Sequence, residues 1–281
     1  MRKKFYKMHG TGNDYIFFDC MGRGVPHPQA LARKLSDRHF SVGGDGIILI
    51  EKSRMADAKM RIFNADGSEG KMCGNGIRCV AKYLYDSGRV RRKEMNVETL
   101  SGVRRLTVYT GGDGAVCRVR ADMGRANLSP AAVPVLLEGE RAVGRPVEIG
   151  GKEYRVTCVC MGNPHCVVFG APPEPFGETG RAFEHSPLFP EGVNAEFVRV
   201  CGRNRLRVRV WERGSGETLS CGTGACASAV AAVENGLCDF GRDIAVRLKG
   251  GDLTVCYTSE GVYLTGGAAL AFVGTADISD I

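Results

Sequence analysis

The 281-residue sequence predicts an α+β protein made of two related halves, each a set of strands gathered around one central helix. Three observations carry this. The first is an internal repeat: shifted by 148 residues, Arg61–Gly88 falls on Arg209–Gly236 with seven of 28 positions identical. The matches are Arg61, Glu69, Cys73, Gly74, Gly76, Ala81 and Gly88, in order. The second is a helical run in the later half, Ala225 to Val233, apolar or small on every side. A helix with no polar face has to be buried. The third is the series of short alternating segments around both repeats, read below as strands.

Lys59–Phe63 and Leu206–Trp211 alternate as half-buried strands do. A polar, Gly-rich loop follows each, then Cys-Gly-x-Gly and a helical run ending at Gly88 or Gly236, a suitable C′ residue. Strands are expected next at Glu94–Leu100, Arg104–Tyr109 and Ala115–Ala121, and at Ile244–Leu248, Leu253–Tyr257 and Val262–Leu264. The Pro- and Ala-rich stretch from Gly124 to Pro146 reads as a linker, so the halves are expected at 1–123 and 124–267.

Composition narrows the class. Hydrophobic residues at 43% and charged residues at 25% are ordinary for a globular chain, which disfavours disorder and coiled coil. No apolar run approaches the roughly 18 residues of a membrane helix, and the basic start lacks the apolar core of a secretory signal. A cytoplasmic protein without a membrane partner is the default expectation. The net charge of +7 gives only non-specific attraction to polyanions, and no aromatics interleave with the arginines, so no nucleic-acid partner is expected. Twelve cysteines occur without a single C-x-x-C, and His9, His27, His39 and His185 lack ligand spacing. No metal is expected. Most cysteines read as small core residues.

Cys73 and Cys221 differ because each stands where a loop becomes a helix. The first N–H groups of a helix lack internal partners and carry partial positive charge. Such a position can lower a thiol pKa from about 8.5 towards neutrality and can bind a carboxylate. One such thiol suggests a nucleophile; two, one per half, suggest groups facing each other across a cleft. Inversion at carbon needs that pairing, because a proton removed from one face is replaced from the other. A thiolate and a thiol, exchanging roles, supply both. Racemisation or epimerisation of an amino or hydroxy acid without a cofactor follows as the expectation. The plainer alternative, two core thiols beside turn glycines, fits either cysteine alone better than it fits the pair.

The motifs Lys7–Asp14 (KMHGTGND), Arg61–Glu69 (RIFNADGSE), Cys73–Cys79 (CGNGIRC), Met161–Cys166 (MGNPHC) and Glu212–Gly224 (ERGSGETLSCGTG) resemble the diaminopimelate epimerase family, and the likeness runs from residue 7 to about 267. The resemblance implies epimerisation of LL- to meso-diaminopimelate without pyridoxal phosphate or metal, in the making of lysine and cell-wall precursors. It implies two pseudo-symmetric barrel-like halves around central helices, a last segment, 268–281, returning to the first half, and a homodimer. Carried over by position, Cys73 and Cys221 are the acid/base pair, with His165 and Glu212 tuning the thiols. Gly74, Asn75, Gly222 and Thr223 are the carboxylate-binding helix starts. Asn13, Asn64, Asn163, Asn194, Glu212 and Arg213 are substrate contacts. Asn13, Asn64 and Asn163 fit turn roles as well, His165 a structural histidine, and Arg213 an ordinary surface residue. One departure stands out: some members have glutamine where this chain has Gly46, so that side-chain contact is missing here.

Three rivals remain at this level. A proline or hydroxyproline racemase-type isomerase shares the paired cysteines. A thiol redox sensor or metal-binding protein, and a basic nucleic-acid module, belong to other classes.

Overall fold

The computed structural model describes residues 1–279, so residues 280 and 281 of the expected return segment lie outside the described residues. The chain divides into two compact units: Met1–Ala121 together with the segment from Thr265 onward, and Asp122–Leu264.

In the first unit the elements run β1 (Arg2–Gly10), β2 (Asn13–Asp19), α1 (Pro28–Ser36), β3 (Gly46–Glu51), β4 (Ala58–Asn64), β5 (Glu69–Gly70), α2 (Gly74–Asp86), β6 (Glu94–Thr99), β7 (Gly102–Thr110) and β8 (Val116–Asp122). In the second they run β9 (Arg145–Ile149), β10 (Lys152–Cys160), β11 (Pro164–Phe169), α3 (Phe176–Glu184), β12 (Asn194–Gly202), β13 (Arg205–Glu212), β14 (Gly216–Glu217), α4 (Gly222–Glu234), β15 (Asp243–Leu248) and β16 (Gly251–Tyr257). The unit boundary falls inside β17 (Val262–Gly266), and β18 (Ala269–Asp277) pairs antiparallel with β1 in the first unit.

The two units pair their strands by one scheme. β1–β2 and β10–β11 are antiparallel, and β2–β3 and β11–β12 are parallel. β3–β4 and β12–β13 are antiparallel, while β4–β6 and β13–β15 are parallel. α2 and α4 are each 13 residues long and start 148 positions apart. Each ends as the sequence predicts, with Gly88 and Gly236 at φ 72°. The strand backbone has a side-chain period of two, so each sheet has two faces. In the first unit Tyr15 and Phe17 take the face opposite to Ile16 and Phe18, which join Leu31 and Leu35 of α1 in one apolar cluster. In the second, Cys166 and Phe197 join Phe176 and Phe183 of α3. His165 and Glu196, one residue before each, therefore turn to the face that α4 covers.

α1 and α3 are additions to the sequence reading, which expected only the two central helices. The stretch from Gly124 to Pro146 is also not a free linker. Val133, Val135 and Ala142 are buried in the α3-side cluster, and Asn127 bridges to Cys160. Its prolines break regular structure while its apolar side chains still pack. Among the described residues no helix is long and apolar enough to cross a membrane.

Candidate active site

In the first unit, Cys73 caps α2. Its backbone is extended (φ −135°, ψ 118°) and its sulfur accepts the Gly76 N–H at 3.3 Å. The thiol donates to Asn13 Oδ1 at 3.2 Å, and Asn75 Nδ2 donates to the same oxygen at 3.3 Å. Asn13 is held from behind: its Nδ2 donates to Asp45 Oδ2 at 2.6 Å, and the Asp14 N–H donates there at 3.0 Å. Arg38 bridges Asp45 and Asp14, and Lys7 bonds Asp14 and the Gly43 carbonyl. This ion cluster fixes which way the Asn13 amide points. Tyr15 completes the surroundings, its hydroxyl close enough to Asn13 and Cys73 to interact with both. Gly74, the first helical residue, is buried and offers its carbonyl to Arg78. Asn64, at the end of β4, donates to Ser68 Oγ at 3.0 Å.

In the second unit, Cys221 caps α4 in the same manner (φ −113°, ψ 114°), accepting the Gly224 N–H at 3.4 Å. Its sulfur lies 3.4 Å from Thr223 Oγ1, and Gly222 is buried behind it. His165 and Glu196 are both fully buried and meet at 2.7 Å through Nδ1, while His165 Nε2 lies 3.0 Å from Asn163 Oδ1. Glu196 reaches under the helix start, where a Cβ built on Gly224 would lie 2.6 Å from its Oε1. Asn194 ties two segments together, donating to the Pro164 carbonyl at 2.7 Å and accepting the Arg213 N–H at 3.0 Å. The Arg213 guanidinium bonds the Glu191 carbonyl, and Glu212 accepts from Thr218.

The thiols do not follow the expected shift. Burial pushes the Cys73 thiol up, although the N–H groups of Gly76 and Asn75, the Tyr15 hydroxyl and the Arg78 charge pull it back. Cys221 is pushed well up, by burial first and then by the negative charges of Glu212 and Glu196. The helix start opposes desolvation in both places and loses, because a thiolate removed from water is costly. Burial also raises the Glu196 carboxyl, against the pull of His165.

The loop at Gly46 leaves no room along its present path for the glutamine that the resemblance suggests in some members. The φ of Gly46 is +154°, and a Cβ there would stand 2.1 Å from the Phe63 carbonyl oxygen. The backbone is shaped for glycine, so a longer side chain requires a different local path.

Three residues of these sites escaped the sequence reading: Tyr15, Arg78 and Glu196. The last two had a signal. Arg78 interrupts the apolar run Ile77–Ala81, and Glu196 interrupts Val193–Val198. A charge at a core position is rare unless it has partners.

The family model described as diaminopimelate epimerase matches residues 5–129 and 157–271, which include both cysteine caps. The chain belongs to the diaminopimelate epimerase family. A family relative named diaminopimelate epimerase, from Acetivibrio thermocellus, is 49% identical over 99% of this chain and 100% of its own. Another of that name, from Desulfovibrio desulfuricans, is 48% identical over 96% of this chain and 97% of its own. Membership makes the protein an enzyme, an isomerase of the epimerase kind. Among solved structures, a probable proline racemase from Agrobacterium radiobacter with bound carbonate superposes with a TM-score of 0.71 at 17% identity, covering 99% of this chain and 94% of its own. That likeness shows the shared fold, an α+β architecture of two strand-wrapped helices.

Proposed function

We propose that the protein interconverts LL- and meso-2,6-diaminopimelate by two-base proton exchange at one α-carbon, with Cys73 and Cys221 as the exchanging groups. The substrate is a small amino acid. The thiolate takes the α-proton and becomes a thiol, while the opposite thiol delivers its S–H proton to the other face and becomes the thiolate. Both proton sites are side chains of this chain, so no pyridoxal phosphate or metal is required. The observation that supports this most is the matched pair of cysteine caps, one on each central helix, with the sulfur already engaged by backbone N–H groups.

Negative charge that develops on the α-carboxylate is met by N–H groups at Gly74–Asn75 and Gly222–Thr223. Asn13, Asn64, Asn163 and Asn194 supply amides to the substrate head groups. Arg213 is suited to the far carboxylate, and Glu212 and His165 govern the charge around the thiols. The reading places the enzyme as a cytoplasmic homodimer in lysine and peptidoglycan precursor synthesis.

Because burial raises both thiols, the thiolate fraction falls about tenfold per unit as pH drops below the thiol pKa. The kcat/KM is therefore expected to climb with pH from neutrality. A panel of amino acids decides the substrate. Turnover of LL-diaminopimelate and none of proline is expected; the reverse result overturns the assignment.

A further inference from the structure

Arg78 is fully buried on α2, one turn beyond the Cys73 cap. Among the described residues its guanidinium donates to neutral oxygens: Nη1 to the Gly74 carbonyl at 3.0 Å, Nη2 to Asn75 Oδ1 at 2.9 Å and Nε to the Gly267 carbonyl at 3.2 Å. Two of these belong to the residues that follow Cys73. With Asn75 Oδ1 engaged by Arg78, its Nδ2 must face outward, and there it meets Asn13 Oδ1, the acceptor of the Cys73 thiol. The guanidinium is also packed close: a Cβ built on Gly10 of β1 would lie 2.9 Å from Nη2. At the matching position of the second unit, 148 residues on, Arg78 is replaced by Cys226, so that position carries no cation.

We propose that Arg78 is a positioning residue for Cys73, orienting the Asn75 amide and stabilising the Cys73 thiolate from inside the helix start. Charges separated by a dry protein interior interact more strongly than charges in water. A cation in a helix's first turns adds to the partial positive charge already there. The titratable groups around the sulfur include Tyr15 from β2 and Arg78 and Cys79 from α2 itself, with the Asp45 carboxylate one residue removed, bonded to Asn13; β1 presents the Gly10 backbone to the guanidinium. Tyr15 and Cys79 are neutral at physiological pH, which leaves Arg78 as the positive charge of that set. The inference rests on the reading of Cys73 as an exchanging group.

The test follows alkylation of Cys73 by iodoacetamide against pH in the full-length protein, resolved by peptide mass spectrometry, with exposed Cys117 and Cys201 as internal references. In Arg78→Met, alkylation of Cys73 at pH 8 is expected to slow roughly tenfold, with the references unchanged. Arg78→Lys, which keeps the charge, is expected to restore most of the rate. Arg78→Gln, which removes the charge but keeps amide donors, is expected to slow Cys73 in the same direction and serves if Arg78→Met does not fold. An unaltered Cys73 profile in a folded variant, or equal slowing in the Lys and Met variants, overturns the role of Arg78. Absence of epimerisation by the unsubstituted protein would instead remove the proposed reaction and leave the thiol titration standing.

Discussion

Ile48 and Glu196 lie 148 residues apart, on matching strands and beneath matching glycines. A Cβ on Gly76 would strike Ile48 Cδ1 at 2.5 Å, and one on Gly224 would strike Glu196 Oε1 at 2.6 Å. The neighbouring strand differs in step: register places Tyr15 beside the first sulfur's sheet where the second unit has His165. One backbone plan therefore carries two electrical environments. Around Cys73 the Arg78 cation stands inside the helix start, amide and phenol groups surround the sulfur, and the Asp45–Arg38–Asp14–Lys7 cluster is held behind Asn13. Around Cys221 the negative charges of Glu212 and Glu196 add to burial in raising the thiol. Two-base chemistry wants this inequality, because one group must give a proton while the other takes one.

The largest effect expected from breaking the comparison is on turnover. Cys73→Ala and Cys221→Ala are each expected to lower epimerisation by about a thousandfold, within the range usual for a lost acid/base group. Chiral chromatography of diaminopimelate isomers measures it. If one variant kept near-native turnover, that thiol would be a cap and nothing more.

The next effect concerns position 46 and its counterpart 148 residues later, Asn194. Gly46→Gln is expected to cost about 2 kcal/mol or more of stability, since the side chain meets the Phe63 carbonyl. Asn194→Gly is expected to cost about 1 kcal/mol for each of its two hydrogen bonds. Thermal unfolding separates the two. A Gly46→Gln variant as stable as the parent would mean that this loop readily takes another path.

The smallest effect sharpens the electrostatic side. Glu212→Gln removes a negative charge that raises the Cys221 thiol. Alkylation of Cys221 at pH 8 is expected to quicken several-fold while Cys73 is unchanged. Equal quickening at both sulfurs would contradict a local cause.

Much of this was legible in the amino-acid string. The repeat located both helices and both caps, because a burial pattern and a glycine-flanked cysteine survive sequence drift where hydrogen bonds do not. The α+β class followed from an all-apolar helix among alternating strands. α1 and α3 were harder: they too start 148 positions apart and span nine residues each, but share only Arg33 and Arg181 at that offset. Gly124–Pro146 misled because prolines mimic a linker in composition while Val133 and Val135 anchor it in a core. The thiol shift went the wrong way because sequence shows the helix start but not the depth of burial. Glu196 and Arg78 act through sheet register and helix turn, which place them under a cap that lies far away or one turn back in the chain.

The central claim is proton exchange with solvent at the inverted carbon. Metal-stripped protein is incubated with LL-diaminopimelate in deuterated water, and the meso product is separated and analysed by mass and NMR. The account predicts one solvent deuteron at the inverted α-carbon. Meso product without solvent label, or no meso product at all, would contradict it.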